Sequence, residues 1–275
     1  MKFAFTKDAK PFELSRDKTK EEFAEMKSNF EDIVSFILDL RVKGDKGSYY
    51  WISKLKENDQ IYLGATHGLA GIVLFLTQVS KMGLDLSMQQ EIDASIKGAC
   101  KYIKLQQYEK EHPLVFPIIV GELKYTKIYP KNYCYGDFTT IYGLFNGYNH
   151  LDDAKGLKYV KDCFKLAESK GFDAPYLDAG KSLLYGHAGT AMVSRNLFLD
   201  SGDKKYLSLY HNRVDYLISQ FDPEDEYLGF KGYWNQGIPH VNFSFFEGLI
   251  GIAIELLCSI DSKRAYNHSE FFFLK

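Results

Sequence analysis

Hydrophobic positions recur at helical spacing in most segments of this chain. Between Thr19 and Leu40 apolar residues return every three or four positions after a Thr19-x-x-Glu22 capping box, which predicts an amphipathic helix with one buried face. Three later segments, around residues 92–103, 160–167 and 206–218, show the same pattern. The fold is therefore predicted to be all-α.

Four other segments begin with glycine and are apolar almost all round. They cover residues 68–79, 136–148, 186–199 and 248–260. Helices of this composition are typical of positions buried on every side, and here they alternate with the amphipathic helices. Such alternation indicates stacked helical hairpins, each unable to bury its apolar face alone. We therefore expect one domain over residues 1–275, an α/α toroid without a sheet, and a loop near residues 227–243 over one mouth of the ring.

The starts of the four apolar segments are similar to one another. They read His67-Gly-Leu-Ala-Gly71, Tyr135-Gly-Asp-Phe-Thr139, Tyr185-Gly-His-Ala-Gly189 and Glu247-Gly-Leu-Ile-Gly251. In a toroid the residue before each first glycine faces the centre, so these four polar side chains are expected to meet although they are far apart in sequence. Convergent polar groups in an apolar pocket are typical of a binding or catalytic site.

Charge and cysteine usage narrow the class of protein. The 34 Lys and Arg residues nearly balance the 36 Asp and Glu residues, which does not favour nucleic acid or an anionic membrane surface as a partner. The four cysteines are scattered without a CxxC pair, and the start of the chain lacks the apolar core of a signal peptide. These features predict a cytoplasmic protein with reduced thiols.

Four segments together resemble the motifs of a known family. They are Leu63-Gly-Ala-Thr-His-Gly-Leu-Ala-Gly71, Tyr133-Cys-Tyr-Gly-Asp137, Leu184-Tyr-Gly-His-Ala-Gly189 and Phe246-Glu-Gly-Leu-Ile-Gly251. In order and spacing they are similar to the motifs of the lanthionine synthetase C family, the cyclases of lantibiotic biosynthesis. The resemblance implies an α/α toroid that adds a cysteine thiol of a precursor peptide to dehydroalanine or dehydrobutyrine, closing a thioether ring. It also implies that other maturation enzymes, a dehydratase or a transporter, are partners.

The resemblance also implies roles for individual residues. In the family a zinc ion activates the thiol, held by the cysteine of the second motif and a Cys-His pair of the third, and the first-motif histidine transfers protons. Matched motif by motif, His67 and Tyr135 are the expected catalytic residues, and Cys134 matches the first zinc ligand. Cys134, Asp137, Tyr185 and Glu247 are expected to contact the substrate.

Departures from the family pattern fall on the zinc site. Leu184 and Tyr185 stand where the Cys-His pair would be, and a catalytic zinc needs three protein ligands, so we expect no metal and no other cofactor. His187 lies about 200° further round the helix than Tyr185 and should point away. In the second motif Tyr133 replaces Trp, while Phe138 and Thr139 replace Pro-Gly. Without zinc, the dipoles and unpaired N–H groups of the inner helix N-termini are expected to favour a thiolate or enolate.

Two other functions remain open, and whether the chain is an enzyme stays open with them. One is a non-catalytic scaffold that binds a precursor peptide within a peptide-modification complex. The other, less favoured, is a glycoside hydrolase in which Asp137 and Glu247 form the acid–base pair. The motif resemblance favours a zinc-free or degenerate cyclase over both.

The number of hairpins predicts an incomplete ring. Four hairpins are fewer than the family ring has. The outer flanks of the first and last inner helices should therefore be exposed apolar surfaces that favour association. These flanks contain Ile72, Leu74 and Phe75 on one side and Ile252, Ile254, Leu256 and Leu257 on the other. We expect self-association, a complementary chain, or the N-terminal helix to cover them.

Overall fold

The structure is a computed structural model that describes residues 20–54, 59–81, 86–122, 133–170, 181–230 and 242–260. It divides into two compact units, Met1–Leu40 and Arg41–Lys275. The first contains helix α1 (Lys20–Asp39), in which Val34 and Leu38 are buried while Met26 and Phe36 are exposed. The predicted helix is confirmed, although Met26, which the spacing places on its buried face, is exposed. The single domain over residues 1–275 stays a prediction.

The second unit consists mainly of alternating outer and inner helices. In chain order its elements are β1 (Val42–Lys43), β2 (Tyr49–Tyr50), α2 (Leu69–Ser80), α3 (Leu86–Leu105), α4 (Asp137–His150), α5 (Ala154–Ser169), α6 (His187–Ser201), α7 (Lys204–Ser219) and α8 (Leu249–Ile260). The glycine-started segments form α2, α4, α6 and α8, and the amphipathic segments form α3, α5 and α7. Every predicted helix is present, whereas most of the predicted 227–243 loop lies outside the described residues.

A small β-hairpin precedes the first inner helix, although the sequence predicts no sheet. Strands β1 and β2 pair antiparallel, with Val42 opposite Tyr50. The hairpin packs on α3, where the Tyr50 and Tyr102 ring centroids are 4.8 Å apart. Strands of two residues are too short to show the alternating pattern by which a strand is recognised.

The inner helices follow one another in an arc. Each packs on the next inner helix, α2 on α4, α4 on α6 and α6 on α8, and α2, α4 and α6 each also pack on the outer helix that follows them. Most side chains of α4 and α6 are buried, as predicted for helices surrounded by neighbours. This arrangement places the starts of the four inner helices next to one another.

Helix α8 is the exception to burial on every side. Ile250, Leu257 and Ile260 lie along one face and are 50%, 56% and 81% exposed. Among the described helices α8 packs appreciably on α6 alone, so none of these helices covers its opposite face. Burial on every side, expected from the composition of α8, is therefore wrong, whereas an exposed flank on the last inner helix is present as expected.

The predicted exposed flanks are correct only in part. Leu257 is exposed, and Ile72, Phe75, Ile254 and Leu256 are half-buried. Leu74 and Ile252 are buried, contrary to the prediction. Leu74 and Ile252 are covered because α2 packs on both α3 and α4, and α8 packs on α6.

A buried ion pair attaches α8 to α6. Arg195 Nε lies 3.4 Å from Glu255 Oε1, and Arg195 Nη2 lies 3.5 Å from Glu255 Oε2. The two side chains are only 8% and 0% exposed. Charges so deeply buried need their partner, so this pair fixes how α8 sits on α6.

Two further observations concern membrane-spanning helices and disulfide bonds. Within the described parts of the chain, no helix is long and apolar enough to cross a membrane. All four cysteines, Cys100, Cys134, Cys163 and Cys258, are buried and free of disulfide bonds.

Candidate functional site

Each inner helix is preceded by the same local structure. Three turn residues and a glycine lead into the helix, and the turns cover residues 65–67, 133–135, 183–185 and 245–247. The third turn residue is His67, Tyr135, Tyr185 or Glu247. The four equivalent positions expected from the sequence are therefore equivalent in the structure.

The second glycine of three of these motifs allows a very close backbone approach. A Cβ atom added to Gly71, Gly189 or Gly251 would lie 1.9–2.0 Å from the carbonyl oxygen of the first turn residue. Any side chain there would push the turn off its helix. In the second motif Thr139 occupies this position, and its hydroxyl donates to the Gly136 carbonyl over 3.3 Å.

The helix N-termini do not present the unpaired N–H groups expected from the sequence. One of the first two helical amides donates to a carbonyl before the turn in three helices: Leu69 to Tyr62 (3.0 Å), Ala188 to Lys181 (3.2 Å) and Leu249 to Asn242 (2.8 Å). These three amides are therefore paired, contrary to the expectation, because the preceding chain folds back over the first helical turn.

The four turns are joined to one another through the backbone. Cys134 N donates to the Leu184 carbonyl (3.0 Å), and Leu184 N donates to the Phe246 carbonyl (2.8 Å). Gly64 packs so closely on the second turn that a Cβ atom there would lie 2.6 Å from the Cys134 carbonyl oxygen. The structure thus brings together turns that are up to 180 residues apart in sequence.

Aromatic rings and an imidazole line the junction of the first three turns. The His67 ring lies 5.4 Å from Tyr135 and 5.9 Å from Tyr62, measured between centroids. Tyr135 and Tyr185 are stacked with centroids 6.5 Å apart. Partial burial lowers the pKa of His67 below its ordinary value. The imidazole is therefore neutral at pH 7 and can accept a proton.

The thiol of Cys134 lies at the centre of the site and is surrounded by hydroxyl groups. Its Sγ is 2.9 Å from Thr66 Oγ1, and it also forms hydrogen bonds with the hydroxyls of Tyr135 and Tyr185. Burial raises the pKa of Cys134 to about 11; the hydroxyls oppose this shift, and the negative charge of Glu247 adds to it. Cys134 therefore remains a neutral thiol at pH 7.

Glu247 supplies negative charge at the edge of the site. Its Oε2 accepts a hydrogen bond from Asn242 Nδ2 over 3.5 Å. The pKa of Tyr185 is raised, chiefly by burial and further by Cys134, Tyr135 and Glu247. Tyr185 therefore keeps its phenolic proton and acts as a hydrogen-bond donor.

Asp137 lies next to this site but has a structural task. Its carboxylate is buried and accepts hydrogen bonds from Val115 N at 3.0 Å and Phe116 N at 2.8 Å. These bonds attach the segment before residue 120 to the start of α4. A substrate contact by Asp137 stays a prediction, and the glycoside hydrolase alternative gains no support because this carboxylate is already used by the backbone.

The residues around Cys134 do not fit a zinc ion. Zinc prefers thiolate, imidazole or carboxylate ligands, whereas the groups bonded to Cys134 Sγ are hydroxyls. The His187 ring stacks on Tyr216 of α7, with ring centroids 3.9 Å apart. His187 therefore points away from Cys134, as the sequence predicts. Among the residues that the structure describes, no three His, Cys, Asp or Glu side chains are grouped to hold a metal ion.

Comparisons with known proteins agree with the motifs. The family described as "Lanthionine synthetase C-like protein" matches residues 16–274. Among curated proteins nothing matches. A solved structure, nisin cyclase, matches with a TM-score of 0.63 and 16% identity over 94% of this chain and 62% of that one. The predicted α/α toroid fold is confirmed, and this chain spans less than two thirds of the length of that cyclase.

Proposed function

Since the chain belongs to the lanthionine synthetase C-like family, we propose that it is a metal-free cyclase-like protein of lanthipeptide maturation. It would add cysteine thiols of a precursor peptide to dehydroalanine or dehydrobutyrine. The observation that supports this most is the meeting of a neutral imidazole, His67, with the hydroxyls of Tyr135 and Tyr185 around Cys134. A proton acceptor and hydrogen-bond donors in one half-buried site suit this addition reaction.

His67 is the proposed proton acceptor. A free thiol with a pKa of about 8.5 is only a few per cent ionised at pH 7, so forming the thiolate costs about 2 kcal/mol. A neutral imidazole beside the substrate thiol offsets this cost by taking the proton as the sulfur attacks. The same imidazolium then returns the proton to the α-carbon of the acceptor residue.

Cys134 is proposed to bind substrate rather than to attack it. Its raised pKa keeps it a neutral thiol, and its side chain is buried. With Tyr185 and Glu247 it would form the wall against which the substrate thiol rests, and Tyr135 would orient the His67 ring that it contacts.

We expect the purified protein to contain less than one equivalent of zinc, and its unfolding midpoint to be unchanged by a chelator. The reason is that Leu184 and Tyr185 replace two ligands and hydroxyls surround the third. Elemental analysis and a thermal melt with and without chelator test this. Stoichiometric zinc that is lost from a Cys134→Ala variant would contradict it.

The activity itself is tested with a dehydrated peptide that contains one dehydroalanine and one cysteine. Ring closure leaves the mass unchanged but removes the thiol, so iodoacetamide adducts counted by mass spectrometry report the reaction. The proposed function predicts closure faster than the spontaneous reaction. Tight binding of the peptide without closure would instead favour the scaffold function.

The exposed face of α8 supports the further proposal that the arc is completed by self-association. Light scattering is expected to show a dimer or larger species at micromolar concentration. Leu257→Asp should weaken this association by about ten- to a hundredfold, because one buried leucine contributes about 1.5–3 kcal/mol. The control is Ile218→Asp on α7, which changes a side chain with the same 56% exposure. A monomer that binds no hydrophobic dye would contradict self-association.

A further inference from the structure

We propose that Tyr185 is a catalytic residue whose hydroxyl donates a hydrogen bond to the enolate oxygen formed when the thiol adds to the dehydroamino acid. This inference rests on the proposed function and assigns a specific task to a side chain in its site. It concerns the acceptor half of the reaction, whereas His67 acts on the thiol half.

The Tyr185 ring is held in place from several directions. Its backbone amide donates to Ser182 Oγ over 3.2 Å, and the next amide, of Gly186, donates to the Ser182 carbonyl over 3.0 Å. The ring stacks on Tyr135 and is only 9% exposed. A donor fixed in this way needs little reorganisation when charge develops beside it.

The resting partner of the Tyr185 hydroxyl is a weak one. The hydroxyl bonds to the sulfur of Cys134, which is a neutral thiol and a poor acceptor. An enolate oxygen carries negative charge and accepts a much stronger hydrogen bond. Exchanging the thiol for the enolate is therefore favourable, and the gain is realised only as the reaction proceeds.

Glu247 explains why a donor is needed at this position. Burial is the main cause that raises the pKa of Tyr185, and the negative charge of Glu247 adds to it, so the phenol keeps its proton. The same charge disfavours an enolate forming nearby, and a hydrogen bond from Tyr185 offsets that repulsion in a site partly shielded from water.

The proposed step is balanced without an oxidant or reductant. The substrate S–H bond breaks and its proton moves to His67, while a C–S bond forms at the β-carbon of the dehydroamino acid. The π electrons of the C=C bond move onto the adjacent carbonyl, whose oxygen accepts the Tyr185 hydrogen bond. The imidazolium then protonates the α-carbon, and Tyr185 keeps its own proton throughout.

The test compares two Tyr→Phe variants, one inside the site and one outside it. Tyr185→Phe removes the proposed donor and should lower kcat by about 10²- to 10³-fold, as for loss of one oxyanion donor, with KM little changed. Tyr159→Phe is the matched control, because Tyr159 lies on α5, outside the site, and its hydroxyl donates to Gln107 Oε1 at 2.7 Å. It should react like the unchanged protein.

A rescue separates a chemical role of the hydroxyl from a packing role of the ring. Tyr185→Gln supplies an N–H donor and should recover part of the rate lost in Tyr185→Phe, although it packs less well. Equal rates for the two Tyr→Phe variants would overturn the role of Tyr185 and leave the proposed function standing. No ring closure by the unchanged protein would overturn both.

Discussion

Replacing His67 with alanine is expected to slow ring closure by about 10²- to 10⁴-fold, the loss typical of removing a general acid–base group. The fold should persist, because His67 is half-buried and lies in a turn rather than inside a helix. The measurement is the rate at which a dehydrated peptide loses its iodoacetamide-reactive thiol. Burial lowers the pKa of His67, so the rate of the unchanged protein should fall on acidification with a midpoint below the ordinary pKa of histidine.

The control for this variant is His211→Ala. His211 is exposed on α7, away from the four turns, and its loss should leave the rate unchanged. In His67→Ala the decline at low pH should also disappear, because the titrating group is gone. A His67→Ala protein as fast as the His211→Ala control would remove His67 from the mechanism.

Replacing Glu255 with alanine is expected to lower the free energy of unfolding by about 3–5 kcal/mol, since it leaves Arg195 buried without its charge partner. Urea unfolding followed by circular dichroism measures this loss. Because Glu255 attaches α8 to α6, and Glu247 lies in the turn before α8, ring closure should slow as well.

Two controls show that the loss comes from burial of an unpaired charge. Asp162→Ala breaks an exposed pair with Lys165 (3.7 Å) and should change stability by only about 0–1 kcal/mol. The double variant Arg195→Met, Glu255→Leu removes both charges and should recover most of the stability. A Glu255→Ala protein no less stable than Asp162→Ala would show that the buried pair does not fix α8.

The helices were predictable because local sequence and tertiary contacts agree. The three- and four-residue spacing of apolar residues in α5 and α7 matches their buried faces. In α1 the spacing predicts the helix, but Met26 and Ile33 are exposed. The glycine-started helices were predictable as a set because four similar segments recur, and α4 and α6 are buried as expected.

Long-range contacts explain where the predictions fail. The sequence of α8 resembles that of α6 in being apolar on most sides, yet its exposure depends on which helices are beside it, which no local pattern contains. The same holds for the amides of Leu69, Ala188 and Leu249, near the starts of α2, α6 and α8, which were expected to be unpaired but donate to carbonyls before the turn. Arg195 and Glu255 lie 60 residues apart and share no motif, so nothing in the sequence pairs them.

The candidate site was predictable in position but not in chemistry. The repeated turn identifies the equivalent places of His67, Tyr135, Tyr185 and Glu247, and the structure brings their turns together. The structural task of Asp137 and the hydroxyl groups around Cys134 depend on contacts between separate segments. Thr66 in particular has no distinctive feature in the sequence of the first motif. Only its contact with Cys134 in the structure identifies it as part of the site.

The central claim is that this site closes thioether rings without a metal ion. The most direct measurement is the rate of ring closure by protein that has been dialysed against chelator, with and without added zinc. Closure well above the spontaneous rate that zinc leaves unchanged is the predicted result. Closure that appears only when zinc is added, or no closure in either sample, would contradict the claim.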